Sequence, residues 1–388
     1  MSRNALIALA VVLVVLGALA FFGQRGSSTA PTAGGPILPG LQAALNDVGE
    51  IKITKAGGET VATIEKHADG WTVAEKGGYA ADVAKLRQSL RALAEAKILE
   101  TKTANPAFYD KLGVQDLKDD KATGLGVAIS APGKDFGTLI LGDAKGSKQR
   151  YARRANEAQS YLIDRDPSFP KTAAQWLDAV VLDVRGNRVR EVTIKHPDGE
   201  VVTISKLNPD EMNFEVALIP RGRELLYPGV ANVIGNSLRE LNLEDVEKAD
   251  NTTPDKPVQV EFRTFDGLIV RAVGAKRGDD AWVTFTASVD ADQVAQNQAA
   301  AKAKQPPAAG DSADAAKADA TKPDGAKSGD NAASADAGAA KPADAVTVDP
   351  TAEAQRINAH VMAWRYKLAT FQYDQMTRRM ADLLKPAN

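Results

Sequence analysis

Three histidines, His67, His196 and His360, are the first residues to weigh for catalysis or metal binding, because imidazole titrates near neutral pH and is a common metal ligand. None lies within metal-ligand spacing of another histidine or of a carboxylate pair. Each stands beside an expected turn or near a helix end and reads as a solvent-exposed turn residue. The run Gly142-Asp143-Ala144-Lys145-Gly146-Ser147-Lys148 carries the glycine and lysine of a phosphate loop behind an expected strand. Its spacing is one residue short and its Ser and Lys are reversed. Arg150-Tyr151-Ala152-Arg153 then alternates like a strand, so no helix N-terminus points at a phosphate. Asp164 and Asp166, around Arg165, read as a loop and not as an acid–base pair, and there is no G-x-S-x-G elbow. No catalytic, cofactor-binding or metal-ligating residue is assigned, and the expectation is a protein that is not an enzyme.

Composition narrows the classes further. With 48 basic and 50 acidic residues in 388, and no run of Lys and Arg that would build a basic face, nucleic acid is not an expected partner. There are no cysteines, which removes disulfides, thiolate metal sites, a thiol nucleophile and a lipid-modified cysteine anchor. Aromatic platforms could still bind a glycan. Trp71, Trp282 and Trp364 sit at alternating strand positions and Trp176 lies beside Leu177 in an expected helix, so core packing is the reading for most, with an exposed aromatic patch as the alternative.

The elements that would position such residues occur twice. Residues 50–66, EIKITKAGGETVATIEK, align with residues 191–206, EVTIKHPDGEVVTISK, in apolar spacing, in the Gly-Glu turn and in the final Lys. GWTVAE with Trp71 corresponds to NFEVAL with Phe214, and SLRAL at Ser89 corresponds to SLREL at Ser237. Period-two alternation predicts strands over 48–53, 60–64 and 70–74. Asp82 is an expected N-cap, and Val83, Leu86, Leu90 and Leu93 follow at helical spacing. The matching helix should carry Val230, Ile234, Leu238 and Leu241. Four more strands are expected over 125–130, 137–141, 150–153 and 160–163, with a helix over 172–180. The second half offers three counterparts, at 258–265, 268–273 and 282–286. Its fourth is assigned to Trp364-Arg365-Tyr366-Lys367-Leu368, followed by a helix over 373–384.

What displaces that strand is residues 291–350, where 22 of sixty residues are alanine and none is aromatic, Leu or Ile. Such a segment buries too little apolar area to offset an ordering entropy of roughly 1 to 2 kcal/mol per residue, so it is expected to be disordered. Replacing residues 295–345 with a short Gly/Ser linker should accordingly leave the melting temperature nearly unchanged. At the other end, residues 5–22 are uncharged and apolar or small, about 27 Å of helix against a hydrocarbon core of about 30 Å. An anchor over 1–24 and a tether over 25–46 follow, with the bulk of the chain exported. A cleaved secretory signal is the competing reading, since Ala18-Leu19-Ala20 fits an A-x-A site.

Together, V-x-x-I-x-I before Gly-Glu, Asp69-Gly70-Trp71, Leu112-Gly113 after a Tyr, Leu141-Gly142-Asp143 before Arg-Tyr-Ala-Arg, Tyr-Leu-Ile-Asp at 161–164 and Trp-x-Tyr near the C-terminus resemble the bacterial family called domain of unknown function 4340. The resemblance covers about residues 48–290 and 355–384. It implies a membrane-anchored envelope protein, similar to those encoded beside ABC transporters of the gliding-motility auxiliary type, and it carries over no catalytic residue.

The expected fold is α+β, two repeated halves of antiparallel sheet with covering helices (47–183 and 184–290, completed by 351–388) around an insert at 291–350, behind one N-terminal transmembrane helix. The expected role is a periplasmic accessory or scaffold at the inner membrane, its partner an ABC transporter permease or another envelope protein. A periplasmic module for cell-wall glycan or peptide, binding in a cleft between the halves, is the alternative.

Overall fold

The computed structural model describes residues 33–250, 252–304 and 349–386. The apolar segment 5–22 and most of the insert therefore lie outside the described residues. Among the described residues, no helix is long and apolar enough to cross a membrane. The chain is α+β, with two nine-stranded antiparallel sheets and few helices. It divides into two compact units between Ala179 and Val180.

The first unit contains β1 (Glu50–Thr54), β2 (Thr60–His67), β3 (Gly70–Val73), β4 (Tyr79–Ala80), helix α1 (Val83–Ala94), β5 (Ile98–Thr101), β6 (Leu125–Ala131), β7 (Lys134–Lys145), β8 (Gln149–Arg154) and β9 (Ser160–Ile163). Alternation does what the pleat demands, since Ile51 and Ile53 are fully buried while Glu50 and Lys52 are exposed. Asp82 caps α1, its carboxylate accepting from the Lys85 amide at 2.9 Å, and Leu86, Leu90 and Leu93 are buried along one stripe. The spatial order of the strands is β4-β3-β2-β1-β6-β7-β8-β9-β5.

The second unit contains β10 (Val180–Leu182), β11 (Val189–Lys195), β12 (Val201–Ser205), β13 (Glu215–Val216), α2 (Asn232–Gly235), β14 (Leu241–Lys248), β15 (Val258–Thr264), β16 (Leu268–Arg277), β17 (Asp280–Val289), α3 (Ala291–Lys304), α4 (Pro350–Val361), β18 (Trp364–Leu368), α5 (Thr370–Met376) and α6 (Met380–Leu383). Its order is β10-β14-β18-β17-β16-β15-β11-β12-β13. Taken from the β13 end and setting aside the edge strands β4 and β10, the two sheets follow one scheme. The register agrees as well. Ile51 faces Ile64 and Ile129, while Val192 faces Ile204 and Phe262. Tyr161 stands between Ala152 and Thr101, and Tyr366 between Val283 and Val246. The strand behind the insert thus occupies the place that β9 holds in the first sheet.

Several expectations need correction. Residues 33–46, assigned to the tether, fold against the first unit, because Ile37, Leu38 and Leu41 are apolar and become buried. Arg154 holds the Ile37 carbonyl through Nε at 2.9 Å and Nη2 at 2.6 Å. β10, assigned to the first half, pairs with β14 of the second sheet. The expected helix over 172–180 is a single 3-10 turn, Ala173–Trp176, ended as Leu177 bridges to Ala81 and the chain turns extended. The helix expected from Val230 to Leu241 shrinks to the one turn of α2. No side chain caps it, and Gly235 touches the Phe214 ring so closely that a Cβ would overlap it. Val230, Ile234, Leu238 and Leu241 are nonetheless all buried. The C-terminal helix over 373–384 is broken into α5 and α6, with Thr377 Oγ1 bonded back to the Tyr373 carbonyl at 2.8 Å.

The insert is not irregular at its margins. Residues 291–304 form α3, which Asn297 fastens by donating to the Phe265 carbonyl at 2.8 Å, and Gln293 by meeting Arg190. α4 starts at Pro350 behind an Asp349 cap, a helix the sequence reading did not foresee. Arg188 clamps it, with Nη1 on Glu353 Oε1 at 2.9 Å and Nη2 on Glu353 Oε2 and Asp266 Oδ2, each at 2.6 Å. Both carboxylates, Glu353 foremost, hold this guanidinium above its ordinary pKa. Linker replacement should therefore spare α3. Exchanging 305–345 for a Gly/Ser linker is expected to shift the melting temperature by no more than a degree or two, while starting the exchange at 295 should cost more. Loss of cooperative unfolding in the 305–345 variant, followed by circular dichroism, would overturn the expectation that the insert contributes nothing to the fold.

Candidate functional site

Connections are where the two sheets differ most. In the second unit β14 reaches β15 across residues 249–257, whereas the first unit spends residues 102–124 between β5 and β6. Two 3-10 turns shape that longer excursion. Pro106–Phe108 is capped by Asn105 Oδ1, which accepts from the Ala107 amide at 3.0 Å, and Asp110–Leu112 ends at Gly113 with φ 65°. Glycines let this backbone lie directly on β7. A Cβ at Gly142 would overlap the Leu112 carbonyl oxygen, and one at Gly124 the Gly113 carbonyl oxygen. Tyr109, Val114, Leu117 and Ala122 of the excursion bury themselves with Ile140 in a small apolar cluster.

Arg153 of β8 enters beside this cluster. It is 4% exposed, its guanidinium 4.6 Å from the centroid of the Tyr109 ring. Nε donates to the Val114 carbonyl at 2.9 Å, and Nη1 to those of Ala155 and Glu157 at 3.3 and 3.0 Å. Among the described residues no carboxylate forms an ion pair with it, and Nη2 donates to no acceptor. A buried cation held only by neutral carbonyls is an unusual arrangement, since burial of a charge is costly unless it is paired.

Arg153, Tyr109 and Gln115 line an open cavity of about 500 Å³, with Asp116, Asp119 and Glu157 at its wall. Gln115 Oε1 is buried with no hydrogen-bond partner. The acidic groups are engaged locally. Asp116 and Asp119 accept from the Lys118 and Lys121 amides at 3.1 and 2.9 Å, and Glu157 pairs with Arg154 at 2.9 Å. Tyr161, behind the wall, has its hydroxyl pushed above the ordinary range by burial and then by the neighbouring Glu157 carboxylate. A smaller cavity of about 230 Å³ is lined by Asp143, Arg150 and Lys171, where Arg150 is occupied by Asp166 and by the Gly142 carbonyl at 2.5 Å.

The second unit has a different feature. Between β12 and α2 it exposes Leu207, Met212 and Leu218 by 84, 85 and 91% and Tyr227 by 51%. Leu218 adopts φ 56°, a left-handed conformation that a leucine side chain disfavours. In the first unit β3 connects to α1 through residues 74–82 alone, and that stretch carries no exposed large apolar side chain.

The residues singled out in the sequence end up elsewhere. His67 is exposed beside Glu65 at 3.5 Å, and His360, in α4, has Nε2 3.2 Å from the Val180 carbonyl. His196 departs from its expected exposure. It is 7% exposed, with Nε2 3.4 Å from the Arg378 carbonyl, because the C-terminal segment covers its turn. Gly142 to Lys145 continue β7 and form no phosphate loop. Asp164 accepts from the Lys97 amide at 2.7 Å and Arg165 reaches Glu95 at 3.1 Å, both loop contacts. Only Trp176 is fully buried, 5.7 Å from Phe169 between ring centroids; Trp71, Trp282 and Trp364 are half-buried. Among the described residues no group of three His, Cys, Asp or Glu could hold a metal ion.

Sequence reasoning missed Arg153, Tyr109 and Gln115. The sequence reading placed 150–153 in a strand but gave no sign that Arg153 would be buried, and Ala152 and Arg153 are both buried because the excursion packs over Arg153. Residues 71–260 match the family described as domain of unknown function (DUF4340). No curated protein and no solved structure matches the chain.

Proposed function

We propose, from the premise that residues 71–260 belong to this family of unknown function, that the protein is a non-enzymatic accessory or scaffold subunit. Its apolar N-terminal segment holds it at the outer face of a bacterial inner membrane, and its partner is a permease of an ABC-type transport system. The observation that carries this reading is the pair of apolar loops on either side of β13, with Leu207, Met212 and Leu218 all more than four-fifths exposed. Exposed apolar side chains concentrated in the two loops that flank β13 mark an interaction surface. Both loops lie inside the family-matched stretch. Shared strand order and register further support two copies of one design, the later copy opened by the insert and free to vary its loops.

Co-purification tests the reading. The full chain, solubilised in mild detergent, is expected to bring down a permease subunit, and a Met212→Ser, Leu218→Ser double variant to lose it by about tenfold or more, because each apolar side chain withdrawn from an interface forfeits about 1.5 to 3 kcal/mol. Equal recovery with both proteins, or recovery of the chain alone, contradicts it.

A further inference from the structure

Arg153 offers chemistry that the docking reading does not use. Three of its five N–H donors are committed to carbonyls of the excursion and of the turn after β8, which leaves the two on Nη2. The guanidinium is fixed in place by those bonds and by the Tyr109 ring, so an oxygen anion meeting Nη2 would meet a preorganised, poorly hydrated donor. Beside it, Gln115 carries an amide oxygen that the protein leaves unsatisfied. Buried polar groups normally find partners, and an orphan at the edge of a cavity marks a place for a ligand donor.

We propose that the cavity of the first unit binds the C-terminal end of a peptide, its free carboxylate on Arg153 Nη2 and the adjoining amide N–H on Gln115. A cavity of about 500 Å³ accommodates one or two small residues. Ala155 and Ala158 line it and favour small side chains. Asp116 and Asp119 set the charge selectivity, since Glu157 is paired with Arg154. A single negative charge that reaches Arg153 is repelled less by Asp116 and Asp119 than a multiply charged anion such as phosphate. The corresponding place in the second sheet has Thr284 in register with Arg153 and lacks the long excursion, so the site belongs to the first unit alone. This inference does not depend on the docking reading, and either can fail without the other.

Isothermal titration of the full chain in detergent with N-acetyl-alanyl-alanine, its C-terminal amide, free alanine and inorganic phosphate tests it. The acid is expected to bind about tenfold or more tightly than the amide, in line with the strength of a charge-assisted hydrogen bond. Free alanine, lacking the adjoining amide, should bind more weakly than the acid, and phosphate should not bind. Arg153→Gln, which removes the charge, should abolish the preference for acid over amide. Because Arg153 also secures loop carbonyls, Gln115→Leu serves as the second variant, expected to keep the wild-type melting temperature and to weaken the acid severalfold. Equal affinity for acid and amide overturns the proposal, as do phosphate binding as tight as the acid, no binding of the acid at millimolar concentration, or wild-type affinity in both variants.

Discussion

Tyr366→Ala is expected to destabilise the second unit by about 3 to 5 kcal/mol, the range for emptying a large buried aromatic site. Tyr366 is fully buried, with its ring centroid 6.1 Å from that of Phe285 and its hydroxyl donating to the His360 carbonyl at 3.2 Å. It also pairs in register with Val283 on one side and Val246 on the other. If β18 completes the sheet from beyond the insert, the loss must appear in cooperative unfolding of the unit that begins at Val180. Urea denaturation followed by fluorescence and circular dichroism measures it. A loss below about 1 kcal/mol, typical of surface positions, would mean that the returning segment is only loosely attached. Tyr161→Ala, at the matching register of the first sheet, should cost a similar amount.

Gly142→Ala is the second large effect. The added methyl would overlap the Leu112 carbonyl oxygen and approach Val114 Cγ1 to 2.7 Å, and the first of these is backbone that cannot swing away. Overpacking of this kind costs about 1 to 3 kcal/mol, and a backbone obstacle puts the value near the top of that range, about 3 kcal/mol. The 102–124 excursion would lift from β7 and carry Tyr109 and Val114 with it. A melting temperature unchanged within a degree, read by calorimetry, would show that the excursion does not rest on Gly142.

How far the sequence discloses this architecture depends on the reach of each signal. Period-two alternation located β1, β2, β6 and β9 closely, because each is an interior strand paired on both sides. Asp82 and the leucines behind it made α1 legible, whereas Ala231 and Gly235 give the second helix neither a cap nor room, so an apolar spacing of helical period marks buried positions without a helix. The assignment of Trp364 to Leu368 as a displaced strand rested on alternation, on the fourth strand missing from the second copy and on the amphipathic stretch behind it, and the register of Tyr366 now gives it a structural place. Composition drew the insert too wide, since α3 holds on by Asn297 to Phe265 and Gln293 to Arg190, single polar contacts that average hydropathy does not register. The cavity was illegible for a different reason. Tyr109 and Arg153 lie far apart in the chain and meet only because three glycines allow the excursion onto β7.

The accessory-subunit account is tested most directly by a photo-reactive amino acid placed at position 218 of the full chain in native membranes. The account predicts a single strong adduct with a permease subunit, absent when the same probe replaces Ala80 on edge strand β4 of the first unit. Adducts confined to the chain itself, or equal labelling from both positions, would contradict it.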